Sequence, residues 1–70
     1  MIPLTFADTG KENVIKKIGG SPEIKKRLED LGLVAGSVVT VVNRLGDNVI
    51  VNVKDSRVAI SEEMVRRIMV

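Results

Sequence analysis

The residue types that most often carry out enzymatic chemistry are scarce in this chain. It contains no histidine and no cysteine, so imidazole acid–base catalysis, thiolate nucleophiles and soft-metal ligation have no side chains available. Most of the 9 Asp and Glu residues lie beside basic residues in predicted helices, or singly in predicted turns, as solvated surface groups do. The sequence therefore predicts a protein that is not an enzyme, with no catalytic residue and no cofactor.

Carboxylate oxygens are the remaining metal ligands in this chain, and they suit one kind of site, that of a hard cation. Its candidate ligands are Asp8, Glu12 and Asp47, which no sequence motif brings together. The loop that cradles nucleotide phosphates, Gly-x-x-x-x-Gly-Lys-Ser/Thr, does not occur in the chain. We therefore predict neither a metal site nor a nucleotide site.

Basic residues supply the first candidate for partner binding. Lys16, Lys17, Lys25, Lys26 and Arg27 form a basic neighbourhood along the first half of the chain. A solvated helix face with local ion pairs is the simpler explanation. The functional explanation is an electrostatic patch that attracts an acidic partner surface.

A predicted hairpin loop over residues 43–48 supplies the second candidate. Its tip combines a cation with an apolar side chain, and small barrels commonly carry recognition residues on their loops. Helix and hairpin together give the residues that we nominate for partner binding: Lys25, Lys26, Arg27, Arg44 and Leu45.

Length and composition narrow the remaining classes. A chain of 70 residues is enough for one domain, spanning residues 1–70. The alternative hypothesis is a small basic barrel that binds nucleic acid, which the basic residues favour. The formal charge of only +2 and the single aromatic residue, Phe6, count against it, so we expect no nucleic-acid partner. The sequence shows no signal peptide and no stretch near the ~20 apolar residues of a membrane helix. We expect a cytoplasmic protein.

One helix has clear start and stop signals. Ser21 can accept a hydrogen bond from a free backbone N–H of the first turn, and Pro22 suits the first helical position. Gly32 fits the left-handed position after the helix, which would fold Leu33 back onto Leu28. The apolar stripe of this helix should consist of Ile24, Leu28 and Leu31.

Runs of β-branched residues predict about five short strands. We expect an extended start over residues 3–6, a turn at 34–36 that includes Gly36, a short helix beginning near Ser61, and pairing of the last two residues with the sheet. The strand at 37–42 should be covered on both faces. The other strands are predicted at residues 13–18, 49–53 and 56–60. So few strands avoid exposed edges best by curling into a small barrel, with the first helix as a lid.

Residues 27–42, RLEDLGLVAGSVVTVV, resemble the signature of the FeoA family: a basic residue, Leu-x-x-Leu-Gly-Leu/Met, one residue, Pro-Gly and a valine-rich strand. The resemblance continues through the hairpin and the closing helix. Ala35 stands where the family usually has proline, Ser61 where a basic residue is common, and the hairpin is shorter. All three departures lie in loops.

The resemblance implies a fold and a function. The fold would be mainly β, a small SH3-like barrel with one helix after the first strand and a short C-terminal helix. The function would be that of a cytosolic accessory protein of bacterial ferrous-iron uptake, which binds the cytosolic G-protein region of the FeoB-type membrane transporter. We expect a monomer that reaches the membrane only through this partner. The family also carries a general label of transition-metal binding, for which this chain has no imidazole or thiolate ligand.

Overall fold

The computed structural model describes all 70 residues and shows a mainly β chain. It opens with a 3₁₀ helix, Leu4–Phe6. The remaining elements follow in the order β1 (Glu12–Val14), β2 (Lys17–Ile18), α1 (Pro22–Asp30), β3 (Val38–Leu45), β4 (Asn48–Val53), β5 (Ser56–Ser61), α2 (Glu62–Val65) and β6 (Ile68–Met69).

The strands form two antiparallel sheets. The larger sheet has the order β1-β3-β4-β5, so β3, β4 and β5 make the expected meander. The smaller sheet pairs β2 with β6. The N-terminal segment lies beside it, because Ile2 and Val70 exchange two backbone hydrogen bonds of 2.8 Å. Strand pairing thus joins both ends of the chain.

The core contains only apolar side chains. Val49, Val51 and Val53 alternate along β4 and are all buried, as the sequence predicted for one face of this strand. Leu28 and Leu33 join them from the helix and the turn after it. The remaining buried residues are Leu4, Ile15, Val39, Val41, Ile60, Val65 and Ile68.

Local hydrogen bonds fix both ends of α1. The Oγ of Ser21 accepts a hydrogen bond from the backbone N–H of Ile24 at 3.3 Å. Beyond the helix, Gly32 has a φ of +88°, and its N–H donates to the carbonyl of Glu29 at 2.9 Å. The N–H of Leu33 donates to the carbonyl of Leu28 at 2.8 Å. These two bonds make a Schellman motif, whose reversal of the chain places Leu33 in the core.

Two expectations about α1 were wrong. Leu31, predicted to be a core residue, keeps 38% of its surface exposed, because it faces an open depression between α1 and β5. The expected ion pairs within α1 do not form; the two ion pairs of the structure both involve Glu62.

The first predicted strand is interrupted. Residues 13–18 divide into β1 and β2, since Ile15 N–H donates to Ser37 and Lys16 N–H donates to Met69, on the other sheet. The extended start expected over residues 3–6 was also wrong. This segment contains a 3₁₀ helix, after which the N–H of Ala7 donates to the carbonyl of Leu4 at 2.9 Å.

The β3–β4 hairpin is longer than predicted. β3 continues to Leu45 and β4 begins at Asn48, which reduces the expected loop at 43–48 to Gly46-Asp47. A β-bulge between Val41 and Asn43 sets the sides to which the last residues of β3 point. The expected cover on both faces of β3 was wrong: Val39 and Val41 are buried, whereas Val38 on the outer face is 46% exposed.

Neither helix has the length and hydrophobicity needed to cross a lipid bilayer.

Candidate partner-binding site

The three basic residues nominated on α1 are all exposed but point in different directions. Successive residues of a helix are rotated by about 100°, so Lys26 projects away from the core residue Leu28 while its neighbours lie on the two flanks. Lys25 lies beside Ile18 of β2, in a depression of about 180 Å³. Arg27 lies on the opposite flank. None of the three has a carboxylate within 4.0 Å, so their charges are free to attract a partner.

A groove runs between α1 and the edge strand β5 on the Arg27 side. It has a volume of about 360 Å³, and its apolar lining includes the exposed part of Leu31 and the half-buried Met64. The complete lining is Arg27, Asp30, Leu31, Ala59, Ile60 and Met64. Sequence reasoning missed this groove, because the helical spacing of Leu31 placed it in the core.

The structure places Arg44 in a network that the sequence did not indicate. Its guanidinium Nη2 donates to the carbonyl oxygens of Thr5, at 2.9 Å, and Ala7, at 3.4 Å. Its Nη1 lies 3.9 Å from the carboxylate of Glu62. The side chain of Arg44 therefore ties the N-terminal 3₁₀ helix to the hairpin and to α2.

Leu45 and Phe6 are two exposed apolar side chains, of which only Phe6 lies beside this network. Leu45 pairs in register with Asn48 on the outer face and is 58% exposed. Phe6 lies between the two carbonyl groups that Arg44 holds, and its exposed fraction is 73%. Sequence reasoning did not nominate Phe6. The available signal was that Phe6 is the only aromatic residue of the chain.

α2 separates the two groups of nominated residues. Its Met64 lines the groove with Arg27, whereas its Glu62 contacts Arg44. Two positions apart on a helix correspond to a rotation of about 200°, so these side chains leave α2 on opposite sides. The five nominated residues thus do not share one surface. We name two surfaces, the helix surface (Lys25, Lys26, Arg27 and the groove) and the hairpin surface (Phe6 and Arg44), whereas Leu45 lies on the outer face of the β3–β4 hairpin.

The carboxylates considered for a hard cation do not come together. No group of three or more Asp and Glu side chains is placed to hold a metal ion, and Asp8, Glu12 and Asp47 lie in different segments of the chain.

Backbone geometry explains Gly36, which the sequence placed in a turn. Its φ is +94°, a conformation that L side chains rarely adopt, and its N–H donates to the carbonyl of Ile15 at 2.7 Å. This bond fixes the turn that connects α1 to β3.

The fold and its exposed surfaces define a class, the small SH3-like β-barrel modules. The fold agrees with solved structures: a crystal structure of an iron uptake regulatory protein (FeoA) matches with a TM-score of 0.88 at 25% identity, covering 97% of this chain and 90% of that one. The FeoA protein of Chlorobium tepidum matches with a TM-score of 0.86 at 26% identity, covering 97% and 67% of the two chains.

Sequence comparison then shows the family. The FeoA domain model matches residues 2–70. A protein of Methanocaldococcus jannaschii whose provisional name is Fe(2+) transport protein A is 36% identical over 70 residues, which are 100% of this chain and 85% of that protein. The chain therefore belongs to the FeoA family of accessory proteins involved in Fe(2+) transport, as the resemblance of residues 27–42 predicted.

The barrel also occurs outside iron uptake. A manganese-dependent transcriptional repressor contains a similar fold, with a TM-score of 0.85 at 16% identity over 38% of its length. At this identity the likeness concerns the fold alone.

Proposed function

We propose that this chain is a non-enzymatic, cytoplasmic accessory module of ferrous-iron uptake that binds the cytosolic G-protein region of a FeoB-type membrane transporter. The observation that carries the proposal is the FeoA match over residues 2–70, together with the named role of the M. jannaschii relative. In this proposal residues 1–70 act as one module, and the protein reaches the membrane only through its partner.

The helix surface is suited to attract this partner. Lys25 and Lys26 are exposed and have no acidic partner of their own, so their positive charges extend into solvent. Such charges accelerate the encounter with an acidic surface and set the orientation of docking. On the Arg27 flank of α1, the groove adds the apolar area of Leu31 and Met64, which is available for burial against a partner.

A charge reversal on the helix surface tests the proposal. The variant Lys25→Glu with Lys26→Glu should bind the purified cytosolic region of the cognate transporter more slowly than the wild type, by about ten-fold in association rate at low salt. Its association rate should also depend less on salt, because the attraction is gone. Biolayer interferometry at several salt concentrations measures both effects.

The matched control reverses two charges elsewhere. Lys11→Glu with Arg57→Glu changes the net charge by the same amount on exposed residues outside α1, and we expect a smaller effect on association. Equal slowing by both variants would show that net charge, not the helix surface, governs binding. If the wild-type chain does not bind the transporter region but does bind a mixed-sequence oligonucleotide, the proposal is contradicted and nucleic-acid binding is favoured.

A further inference from the structure

We propose that Phe6 is an apolar anchor that inserts into an apolar socket on the partner protein, and that Arg44 holds it in the inserting position. This inference rests on the proposed function, because the partner is the same cytosolic region of the iron transporter. It adds a binding surface on the opposite side of α2 from the helix surface.

The turn that carries Phe6 is fastened on both sides of the ring. Leu4 is fully buried in the core, and Ala7 packs against the core. The N–H of Phe6 donates to the carbonyl of Pro3 at 3.0 Å, and the N–H of Ala7 donates to that of Leu4 at 2.9 Å. The backbone of Phe6 is therefore fixed by its own neighbours, while its side chain points into solvent.

Arg44 adds a second attachment from a distant part of the chain. One guanidinium nitrogen donates to the carbonyls immediately before and after Phe6, at 2.9 Å and 3.4 Å. The hydroxyl of Thr5 also donates to the carboxylate of Glu62, which in turn faces Arg44. A bond from each side of Phe6 leaves this turn little freedom to fold the ring back onto the protein.

The exposure of the Phe6 ring has no use in the isolated fold, although the bonds around it help to hold the N-terminal turn. A ring that is 73% exposed contributes little apolar burial, and the core is complete without it. Aromatic side chains dominate the binding energy of protein interfaces, and residues held beforehand in the bound conformation lose less entropy on binding. An exposed aromatic on a fixed turn therefore fits an anchor for a partner.

The charges around the ring indicate the chemistry of the occupant. The Glu62 carboxylate faces two cations, Arg44 and Arg66, each at 3.9 Å, and Asp8, two residues after Phe6, adds a second negative charge, which is exposed. This surface thus lacks the excess of positive charge that attracts an anionic lipid headgroup. An uncharged socket of apolar side chains on a protein complements it better than a membrane.

A double-mutant cycle tests both residues. Phe6→Ala should weaken binding to the transporter region about ten-fold or more, mainly through faster dissociation, with an unchanged melting temperature. Phe6→Trp should retain most of the affinity. Arg44→Lys should weaken binding less, and it should add almost nothing in the Phe6→Ala background, because positioning matters only when the ring is present. Val38→Ala, at an exposed apolar residue without such a clamp, serves as the control.

Each outcome has a distinct meaning. If the wild type binds and Phe6→Ala binds equally well, the anchor is disproved while the proposed function stands. If Arg44→Lys weakens binding equally with and without the ring, Arg44 contacts the partner itself and does not act through Phe6. If the wild type fails to bind the transporter region, the proposed function fails, and the transporter socket fails with it. If Phe6→Ala instead abolishes binding to vesicles of anionic phospholipid, the occupant is a membrane and the protein socket is refuted.

Discussion

The two helices begin in the same way and are held in opposite ways. Ser21 caps α1 and Ser61 caps α2, with Oγ to N–H distances of 3.3 Å and 3.2 Å. α1 has nine residues, a single fully buried one, Leu28, and no ion pair. α2 has four residues, yet its Glu62 contacts both Arg44 and Arg66.

This difference between the helices indicates different roles: the charges of α1 are available for binding a partner, whereas the Glu62 charge of α2 helps to hold the fold together. α1 depends on apolar packing and on its glycine stop, which leaves its charged side chains free for a partner. α2 is too short to be stable by itself, since an isolated helix needs more than about 12 residues. Its Glu62 is used to hold the N-terminal turn and the hairpin. A charge on α1 is therefore a candidate for recognition, whereas the Glu62 charge is structural.

The largest expected effect tests the packing of α1. Leu28→Ala should destabilise the fold by about 2–5 kcal/mol, because it removes a fully buried side chain and leaves a cavity. Urea denaturation followed by circular dichroism measures the loss. Leu31→Ala is the matched control on the same helix. Since Leu31 is 38% exposed, its substitution should cost less than about 1 kcal/mol. Similar losses of stability for both variants would mean that Leu31 is a core residue, as its helical spacing predicted.

The next effect concerns the end of α1. Gly32→Val should destabilise the protein by roughly 1–2 kcal/mol, because a β-branched residue resists a φ of +88°. Gly32→Asn should be milder, as asparagine tolerates the left-handed region. A Cβ at this position would lie 3.5 Å from the Lys54 side chain, an ordinary contact distance, so strain rather than collision sets the loss. An unchanged melting temperature for Gly32→Val would rule out the Schellman stop.

The smallest effect concerns α2. Glu62→Gln removes the negative charge that faces Arg44 and Arg66 but keeps an oxygen acceptor for Thr5. We expect a loss of about 0.5–1 kcal/mol at low salt, which shrinks as salt is added, because both pairs are partly exposed. Glu63→Gln, on the same helix and without an ion pair, should change stability little. Thermal denaturation at two salt concentrations distinguishes the two. A salt-independent loss would show that the ion pairs do not hold α2.

Local signals in the sequence determined much of this protein. The start of α1 at Ser21-Pro22 and its stop at Gly32 depend on hydrogen bonds within five residues, so residue types alone predicted them. The alternation of Val49, Val51 and Val53 fixed the buried face of β4, because successive side chains of a strand point to opposite faces. The signature in residues 27–42 indicated the FeoA family, which the comparisons showed.

Contacts between distant residues decided the rest. Arg44 reaches Thr5 across 39 positions, and Thr5 reaches Glu62 across 57. No local sequence pattern specifies such partners. Because of these contacts Arg44, which the sequence nominated for partner binding, holds the N-terminal turn in the structure. The same holds for Ile15 and Lys16, whose backbones bond to different sheets, and for Leu31, whose exposure depends on where the helix lies against β5. Caps and strand alternation are properties of a short segment, whereas the fixed position of Phe6 outside the core and the groove beside Arg27 depend on how distant segments pack together.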